Sequence, residues 1–500
     1  MNETESPSQN IKLAPPIAIL GVPFDMVMVS QTIDIIGKMI ESHRPHYLVT
    51  ANANFVAQAS EDVELRRILF DAHLILCDST PLVWASRWLG NPLPERVAGS
   101  DLAPLLMRAA EEKGWRVFFL GTKEEVLQRA EEKLRAKHPR LQLVGHLSSP
   151  FASLLEMDHE SICRAIKEAK PDILLVALGC PKQEKWIYMH YRTLGVPVSI
   201  GVGGTIDFLA GETPRAPMWM RNAGLEWACR LAQEPRRLLR RYMTNLWVLS
   251  SRLLAQWWQL QVRRRRHAAR YHRLMVVAEK TEAGFEQVKI PPRFDAAVVR
   301  EHEWLWKCFV TSPAHLLVDM ASVEFIDSTG VGLLIWLHKS LTASNCHFVL
   351  VSPSLVAKQA LDRMRMPQLL AVAPDLDTAK NMIMERSRDI HAIATLDLSP
   401  APKPLTWHGE IVTSNVEAVK HLTESYMECC VAKPKRIAVD LAEVRFIDSA
   451  GVGLMLRIKK QGRLRDMDIT FLNPRPNVLN VVRALHLEQY LFGESKQGSQ

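Results

Sequence analysis

Short apolar runs in the first half of the chain end in small or polar residues, a pattern that indicates buried strands of a parallel sheet. Such runs lie at residues 47–49, 72–77, 174–178 and 196–200. The last two lead into glycine turns, and the first of these turns opens a helix rich in lysine, glutamine and glutamate. Because the carboxyl ends of parallel strands meet at one edge of a sheet, we predict an α/β domain with a ligand crevice at that edge.

The glycine turns predict where a phosphate-bearing ligand would lie. Gly179 follows one strand, and Gly201, Gly203 and Gly204 follow the other. Glycine lets backbone N–H groups approach a phosphate closely, and the N-terminus of a following helix favours negative charge. Neither loop has the GxGxxG or P-loop spacing, so the spacing alone does not identify the ligand.

A sequence repeat fills the second half of the chain. The segment LLVDMASVEFIDSTGVG at residues 316–332 recurs as IAVDLAEVRFIDSAGVG at 437–453, and FVLVSP at 348–353 matches ITFLNP at 469–474. Each copy predicts a strand, a loop, a helix, a strand and a helix, which together form a compact α/β domain. The period is too long for a solenoid, so the repeat indicates a domain duplication.

The composition is that of a multidomain globular protein. A chain of 500 residues predicts about three domains, and its 47% hydrophobic and 23% charged residues are ordinary values. No run of about 18 uncharged apolar residues occurs, so we expect no transmembrane helix. The polar N-terminal residues are unlike a signal peptide, and eight scattered cysteines without metal-ligand spacing predict a reducing cytoplasm.

The net charge of +8 is unevenly distributed, since residues 230–273 hold twelve arginines and a single acidic residue. The same stretch carries Trp247, Trp257 and Trp258 among leucines and valines. A basic helix whose apolar face bears tryptophan is typical of binding to an anionic membrane surface. Two alternatives stay open: a solvated linker between domains, and nucleic acid as the ligand of the basic run 263–266.

Six segments of the N-terminal half carry a family resemblance: VTANAN at 49–54, ERVAGSDL at 95–102, GCPKQEKWI at 179–187, GVGGTIDFLAG at 201–211, RAP at 215–217 and GLEW at 224–227. With them, residues 16–245 resemble the WecG/TagA/CpsF family of bacterial glycosyltransferases. The resemblance implies a Rossmann-like fold. It also implies inverting transfer of an N-acetylmannosamine-type or related sugar from a UDP donor to a polyprenyl-diphosphate-linked saccharide.

The resemblance assigns the general base to Asp78. An inverting transfer needs a base that deprotonates the acceptor hydroxyl while UDP departs. Asp78 follows the apolar run 72–77, so it should lie at the carboxyl end of a strand. The family usually has glycine next, where this chain has Ser79, a difference that affects the local turn more than the carboxylate. The alternative interpretation is that Asp78 caps a helix that starts before Pro81.

Further polar residues are candidates for binding the substrates. Thr50 and Asn52 follow a predicted strand and would hydrogen-bond the sugar or the acceptor, or else they form an ordinary strand-end turn. The resemblance places Arg96 on the donor or acceptor phosphates, a role that suits its planar guanidinium. The alternative for Arg96 is a surface ion pair with Glu95 or Asp101.

Gln183 and Glu184 open a helix after Pro181, as expected for residues that face a ligand, and the resemblance implicates Gln183. The remaining substrate-binding candidates lie in the second glycine loop and near the arginine-rich stretch: Gly203, Gly204, Asp207, Arg215, Arg221 and Arg230. The arginines would neutralise the charge of a diphosphate. The N-terminal half has no Asp-x-Asp motif, so we expect no metal ion and no cofactor besides the UDP-sugar substrate.

Both repeats resemble STAS domains, the fold of anti-sigma-factor antagonists and of sulfate-transporter tails. The shared signature is a strand followed by Asp-Ser-(Ser/Thr)-Gly at the start of a helix, here Asp327-Ser328 and Asp448-Ser449. The resemblance makes Ser328 and Ser449 candidate phosphorylation sites, and it implies an anti-sigma-like kinase or another STAS-binding protein as partner. A phosphate there adds nearly two negative charges to a docking face. Alternatively, the Asp-Ser pairs only cap their helices.

These observations predict five parts. They are a disordered tail at 1–15, a Rossmann-like glycosyltransferase domain at 16–235, an arginine- and tryptophan-rich membrane-associating appendage and linker at 236–280, and STAS domains at 281–388 and 389–496.

The function predicted for this arrangement is sugar transfer in bacterial surface or exopolysaccharide biosynthesis. The enzyme would be peripheral on the inner face of the cytoplasmic membrane, with STAS domains as regulatory or partner-binding modules and without a nucleic acid partner. The alternative is a STAS-based partner-switching signalling protein whose transferase half is inactive or a scaffold. The intact polar residues of the candidate site favour the enzyme.

Overall fold

The computed structural model describes residues 14–148, 153–212, 276–280, 285–388, 394–395, 405–412, 415–429, 436–465 and 467–492, together with scattered positions between 217 and 257. In this described part of the chain, no helix is both long and apolar enough to cross a membrane.

A six-stranded parallel sheet organises the N-terminal domain, which we define as residues 14–212. A short antiparallel hairpin precedes it. The strands are β1 (Ile17–Ile19), β2 (Val22–Phe24), β3 (His46–Ala51), β4 (Leu74–Cys77), β5 (Arg116–Gly121), β6 (Gln142–Leu147), β7 (Ile173–Ala177) and β8 (Val198–Gly201). The sheet order is β4–β3–β8–β7–β5–β6, and every neighbouring pair is parallel.

Nine helices of the described N-terminal domain cover both faces of this sheet. They are α1 (Val29–Glu41), α2 (Ala53–Ala59), α3 (Val63–Asp71), α4 (Thr80–Trp88), α5 (Gly99–Lys113), α6 (Glu124–Lys137), α7 (His159–Ala169), α8 (Lys182–Leu194) and α9 (Thr205–Leu209). Successive strand residues point to opposite faces, so Leu174 and Val176 join the core under α2, α3, α4, α7 and α8. Ile173 and Leu175 join the core under α1, α5, α6 and α9. This two-sided burial explains the uninterrupted apolar runs.

The strands before the two glycine loops begin and end within two residues of the predicted limits. β7 starts and ends one residue before the predicted run 174–178, and β8 starts two residues after the predicted residue 196. β8 starts late because Pro197 has no N–H to give to the sheet. β3 extends through Thr50 to Ala51, so Thr50 lies inside the strand rather than after it.

The strand order reverses at the centre of the sheet. From β3 the chain moves outward to β4 and then crosses to β5 in the other half. Open α/β sheets bind ligands at such reversals, outside the carboxyl ends of the strands. The predicted α/β fold with a parallel sheet is confirmed, and the ends of β3, β4, β7 and β8 define where the crevice is expected.

The first repeat domain, residues 276–388, is a second α/β unit. Its strands and helices are β9 (Val277–Lys280), β10 (Phe285–Lys289), β11 (Arg293–Phe294), α10 (Ala296–Glu301), α11 (Glu303–Thr311), β12 (His315–Asp319), β13 (Phe325–Ile326), α12 (Ser328–Ala343), β14 (Phe348–Val351), α13 (Leu355–Arg363), β15 (Ala371–Ala373) and α14 (Leu376–Arg388). Five strands form one sheet in the order β15–β14–β12–β10–β9.

The second repeat domain, residues 394–492, repeats this plan. Its strands and helices are β16 (Ala394–Thr395), β17 (Leu405–Ile411), α15 (Val416–Cys429), β18 (Arg436–Ile447), α16 (Ser449–Leu464), β19 (Asp468–Leu472), α17 (Pro476–Ala484) and α18 (Glu488–Phe492). The predicted order of strand, helix, strand and helix is β12–α12–β14–α13 in one copy and β18–α16–β19–α17 in the other, which confirms the duplication.

Both repeat domains pack directly on the N-terminal domain. Ala18 of the β1–β2 hairpin and Phe70 of α3 belong to the apolar core of the first repeat domain. Val63 of α3 belongs to the core of the second. Lys339 of α12 donates a hydrogen bond to the carbonyl oxygen of Ala72. Helix α3 of the N-terminal domain is therefore in contact with both repeat domains.

Gly332 of α12 sets how closely the β1–β2 hairpin approaches the first repeat domain. A Cβ at this position would collide with the carbonyl oxygen of Pro16, whereas a Cβ at the equivalent Gly453 of α16 meets no atom within 4 Å. We expect Gly332→Ala to lower folding stability by about 1–3 kcal/mol through overpacking. Gly453→Ala should be neutral or stabilising, because alanine favours a helix over glycine. Thermal unfolding followed by circular dichroism compares the two variants, and equal midpoints would contradict this packing.

Candidate active site

The ends of three strands are tied together where the crevice is expected. Asp78, which follows β4, donates its backbone N–H to the carbonyl oxygen of Ala51 over 2.9 Å. The Thr50 hydroxyl in β3 donates to the carbonyl oxygen of Gly201, at the end of β8, over 3.0 Å. These bonds fix the strand ends relative to one another. Asp78 and the glycine loop after β8 therefore lie at the same edge of the sheet.

Asp78 is half-buried and immediately precedes the N-cap of α4. The N-cap position is Ser79 rather than Asp78, and Ser79 makes no side-chain capping hydrogen bond. Burial is the main reason that the pKa of the neighbouring Cys77 thiol is raised to about 12; the Asp78 carboxylate adds to the rise and the Arg96 guanidinium opposes it. A carboxylate and a guanidinium thus flank the end of β4.

Thr50 and Asn52 both have structural partners. Thr50 is 6% exposed, and its hydroxyl holds Gly201 as described above. Asn52 is the N-cap of α2, where its side-chain oxygen accepts from the backbone N–H of Asn54 over 2.9 Å. The Asn52 contact is that of a strand-end turn, which was the alternative interpretation, whereas Thr50 bonds across the sheet from within β3. Binding of a sugar or an acceptor by either residue stays a prediction.

Arg96 pairs with Asp101 in the first turn of α5. The distance from its Nη2 to the carboxylate Oδ2 is 2.7 Å. Glu95, the other partner considered, instead accepts from the backbone N–H of Val29 over 2.6 Å. The ion pair orients a guanidinium that carries five donors in all. Phosphate binding by Arg96 stays a prediction.

Gln183 and Glu184 are buried beneath the loop after β8, although their place at the start of a helix after Pro181 predicts that they face a ligand. Gln183 is 2% exposed and Glu184 is 1% exposed. Gln183 Oε1 accepts from the backbone N–H of Gly203 over 3.1 Å, and its Nε2 donates to Glu184 Oε1 over 2.6 Å. A Cβ on Gly201 would lie 2.7 Å from Gln183 Nε2, so glycine is what lets the amide enter. Gln183 therefore supports the glycine loop from below.

Glu184 is a buried acid at the base of the candidate site. Burial raises the pKa of its carboxyl to about 8, and hydrogen bonds from Gln183 and Cys180 lower the pKa by less. The carboxyl is thus mostly protonated at neutral pH. A neutral carboxyl beside the Gln183 amide adds no charge beneath the loop.

The two glycine loops leave open space at the sheet edge. Gly179 and Gly203 have positive φ angles of 78° and 53°, and a Cβ at either would meet no atom within 4 Å. Asp207, in α9 after the second loop, accepts at Oδ1 from the hydroxyl of Thr122 over 3.2 Å. Sequence reasoning missed Thr122; the signal was the Gly121–Thr122 dipeptide, a third small-residue turn after an apolar run.

Part of the predicted site lies outside the described residues. This applies to Arg215, Arg221 and Arg230 and to most of the arginine-rich stretch 230–273. Within the described residues, no group of three or more His, Cys, Asp or Glu side chains could hold a metal ion.

The two candidate phosphorylation sites are buried at the first turns of α12 and α16. Asp327 caps α12 by accepting from Thr329 and Gly330, and Asp448 caps α16 by accepting from Gly451 over 2.9 Å. The capping alternative therefore holds for both aspartates. Ser328 and Ser449 are each 0% exposed. Their phosphorylation stays a prediction.

Comparisons with known proteins assign both halves of the chain. The profile of the glycosyl transferase WecG/TagA/CpsF family matches residues 17–263, and that of the STAS domain matches residues 275–379 and 402–497. The chain is similar to an N-acetylglucosaminyldiphosphoundecaprenol N-acetyl-beta-D-mannosaminyltransferase of Staphylococcus aureus strain MW2. The identity is 30% over 224 residues, which cover 44% of this chain and 86% of the relative.

The same enzyme of Staphylococcus aureus strain NCTC 8325 / PS 47 is 31% identical over 216 residues, which cover 43% of this chain and 83% of the relative. Among solved structures, an anti-sigma factor antagonist from Thermotoga maritima matches 22% of this chain and 95% of its own, with 18% identity and a TM-score of 0.21. The chain belongs to the glycosyl transferase WecG/TagA/CpsF family, and two STAS domains follow its glycosyltransferase domain.

Proposed function

We propose that the N-terminal domain is an inverting glycosyltransferase. It moves an N-acetylmannosamine-type sugar from a UDP donor to an N-acetylglucosamine carried on a polyprenyl diphosphate, in bacterial surface or exopolysaccharide biosynthesis. The names of the relatives support the sugar and the acceptor. The single observation that carries the proposal is the position of Asp78 at the carboxyl end of β4, beside Arg96 and across from the glycine loop after β8.

The chemistry assigned to this site is one displacement at the anomeric carbon. Asp78 accepts the proton of the attacking acceptor hydroxyl while the bond from the sugar to UDP breaks. The leaving diphosphate needs donors, and we assign to it the Arg96 guanidinium and the backbone N–H of Gly204, since the Gly203 N–H is already given to Gln183. With these donors we propose transfer without a metal ion or a further cofactor.

The arginine-rich stretch supplies the proposed site of attachment to the membrane. Its charge and its tryptophans suit an anionic lipid surface, which also holds the polyprenyl acceptor. We therefore propose a cytoplasmic enzyme that is peripheral on the inner face of the membrane, with Arg215, Arg221 and Arg230 near the diphosphate. A lipid surface is preferred to nucleic acid because the acceptor of the relatives is lipid-linked.

The packing of the repeat domains favours the enzyme over a partner-switching signalling protein. Partner exchange needs an accessible serine face, and both Ser328 and Ser449 are fully buried against the rest of the chain. A kinase or another STAS-binding protein would have to displace these contacts first.

Asp78→Asn tests the assignment of the base. We expect acceptor-dependent release of UDP, from UDP-N-acetylmannosamine and a short-chain polyprenyl-diphosphate N-acetylglucosamine, to fall by about 100- to 10,000-fold, which is the usual contribution of a general base. Asp34→Asn, on the exposed side of α1, is the matched control and should keep full activity. Unchanged activity in Asp78→Asn would remove the base assignment, and no release by the unmodified protein across a panel of UDP-sugars would contradict the proposed function.

Glu184→Gln tests the protonated carboxyl beneath the glycine loop. Between pH about 4.5 and about 8 the unfolded chain releases the Glu184 proton while the folded protein keeps it, because burial raises the pKa to about 8. This group therefore makes folding less stable as the pH rises through that interval. We expect the midpoint of thermal unfolding of Glu184→Gln, relative to the unmodified protein, to increase from pH 5 to pH 9. The exposed control Glu168→Gln should show no such trend, and a flat difference for Glu184→Gln would mean that the carboxyl is ionised in the fold.

A further inference from the structure

The first turns of α3 and α16 and a lysine of α8 meet around the buried carboxylate of Glu64. Glu64 lies in the first turn of α3 and is 2% exposed. Its Oε1 accepts from the backbone N–H of Ser449, the first residue of α16, over 2.7 Å, and its Oε2 accepts from the Ser449 hydroxyl over 2.8 Å. Helix N-termini attract anions through their unpaired N–H groups. The second repeat domain thus docks on the N-terminal domain through its serine.

The third helix of this junction is α8. Lys185, in its first turns, lies 2.8 Å from Glu64 Oε2 and 2.8 Å from Asp62 Oδ2. Burial lowers the pKa of the Lys185 ammonium, but Glu64 and Asp62 raise the pKa more, so the lysine stays charged. Glu64 is therefore shared between the helix that begins with Ser449 and the helix that carries Lys185.

Helix α8 also carries the support of the glycine loop. Gln183, two residues before Lys185, holds the backbone N–H of Gly203. A short series of contacts therefore runs from Ser449 through Glu64 and Lys185 to α8, and from Gln183 to the loop assigned to the diphosphate. Each polar contact in this series is 3.1 Å or shorter.

A second bridge joins α8 to the second repeat domain through the other end of α3. The Tyr188 hydroxyl of α8 donates to Asp71 Oδ2 over 2.9 Å, and Arg67 Nε lies 2.8 Å from the same oxygen. Arg67 also lies 3.6 Å from Glu410 of β17 and places its guanidinium carbon 5.9 Å from the centre of the Phe446 ring. Two bridges therefore tie α8 to the second repeat domain.

The first repeat domain offers a natural comparison. Its equivalent serine, Ser328, accepts a hydrogen bond from Gln256 Nε2 over 3.2 Å, and Thr329 Oγ1 accepts from Asn91 Nδ2 over 2.9 Å. Neither of these partners is on α8. The two serines also differ in their partners: Ser449 faces a carboxylate acceptor, whereas Ser328 faces an amide donor.

We propose that the second repeat domain is a positioning element of the transferase site, acting within the same chain. Glu64 is the positioning residue: it joins the start of α16 to Lys185 and so holds the first turn of α8 beneath the Gly203 loop. The kinetic consequence rests on the proposed function, since it concerns binding and departure of UDP. The structural consequence, that the stability of α8 depends on the contact between Ser449 and Glu64, does not rest on the proposed function.

The test compares Ser449→Asp with the matched control Ser328→Asp in the full chain. A carboxylate at position 449 faces Glu64 directly, whereas one at 328 faces an amide donor. Hydrogen exchange followed by mass spectrometry should show the amides of residues 182–194 exchanging at least about tenfold faster in Ser449→Asp and unchanged in Ser328→Asp. UDP release should show kcat lowered by about 10- to 100-fold in Ser449→Asp, the range expected for misplaced groups.

Adding Glu64→Gln to Ser449→Asp separates this contact from general unfolding. An amide at position 64 removes the like charge and can donate to the new carboxylate, while Lys185 keeps its ion pair with Asp62 and gains the carboxylate at position 449 in place of Glu64. The double variant should therefore recover exchange in 182–194 to within about threefold of the unmodified protein. Equal exchange in the two serine variants, or no recovery in the double variant, would overturn the proposal. Hydrogen exchange is measured without substrate and therefore decides the coupling between Ser449 and α8 on its own. If the unmodified protein releases no UDP, that result counts against the proposed function and leaves the exchange result valid.

Discussion

Helix α3 places charged side chains where water does not reach, and the docking of the second repeat domain follows from the need to pair one of them, Glu64. Glu64 and Arg66 are 2% and 5% exposed. Arg66 finds its acceptor within the N-terminal domain, the Ala59 carbonyl oxygen, 2.8 Å from Nε. Glu64 draws its donors from α16 and α8, so the carboxylate is fully paired only when the second repeat domain is docked. A buried charge that lacks one partner is strongly destabilising, which makes the docked arrangement specific.

The duplicated motif shows which parts of a repeat serve its own fold and which serve docking. A Cβ on Gly330 would lie 2.6 Å from the Phe294 carbonyl oxygen, and one on the equivalent Gly451 would lie 2.7 Å from that of Ile411. Both glycines thus allow the same close approach of helix and strand inside each domain. Two residues further on the copies differ, because Gly332 is pressed against the N-terminal hairpin and Gly453 is not. The shared sequence therefore encodes the internal packing, and the two docking modes arise from what surrounds it.

Local patterns accounted for the sheet, the glycine loops and the duplication, because burial on both faces and turns after strands leave a signal within a few residues. The burial of Gln183 could not be predicted in this way, since it depends on the absence of a side chain at Gly201, in another strand. The pairing of Glu64 with Ser449 joins residues 385 positions apart, and no local pattern encodes it. In the sequence both serines looked equivalent, and only the three-dimensional contacts show that one faces an acceptor and the other a donor.

The two interfaces with the N-terminal domain differ in the physical terms that hold them. The first repeat domain buries Ala18 and Phe70 in its own core and packs without space for a methyl group at Gly332, so apolar burial and close packing dominate there. The second is centred on a buried ionic junction, in which the cost of removing charges from water offsets much of the attraction. Such a junction fixes the orientation of the docked domain more than it adds to the free energy of folding. A domain held in this way is suited to positioning α8 beneath the glycine loop, because a change of charge at one serine alters the whole junction.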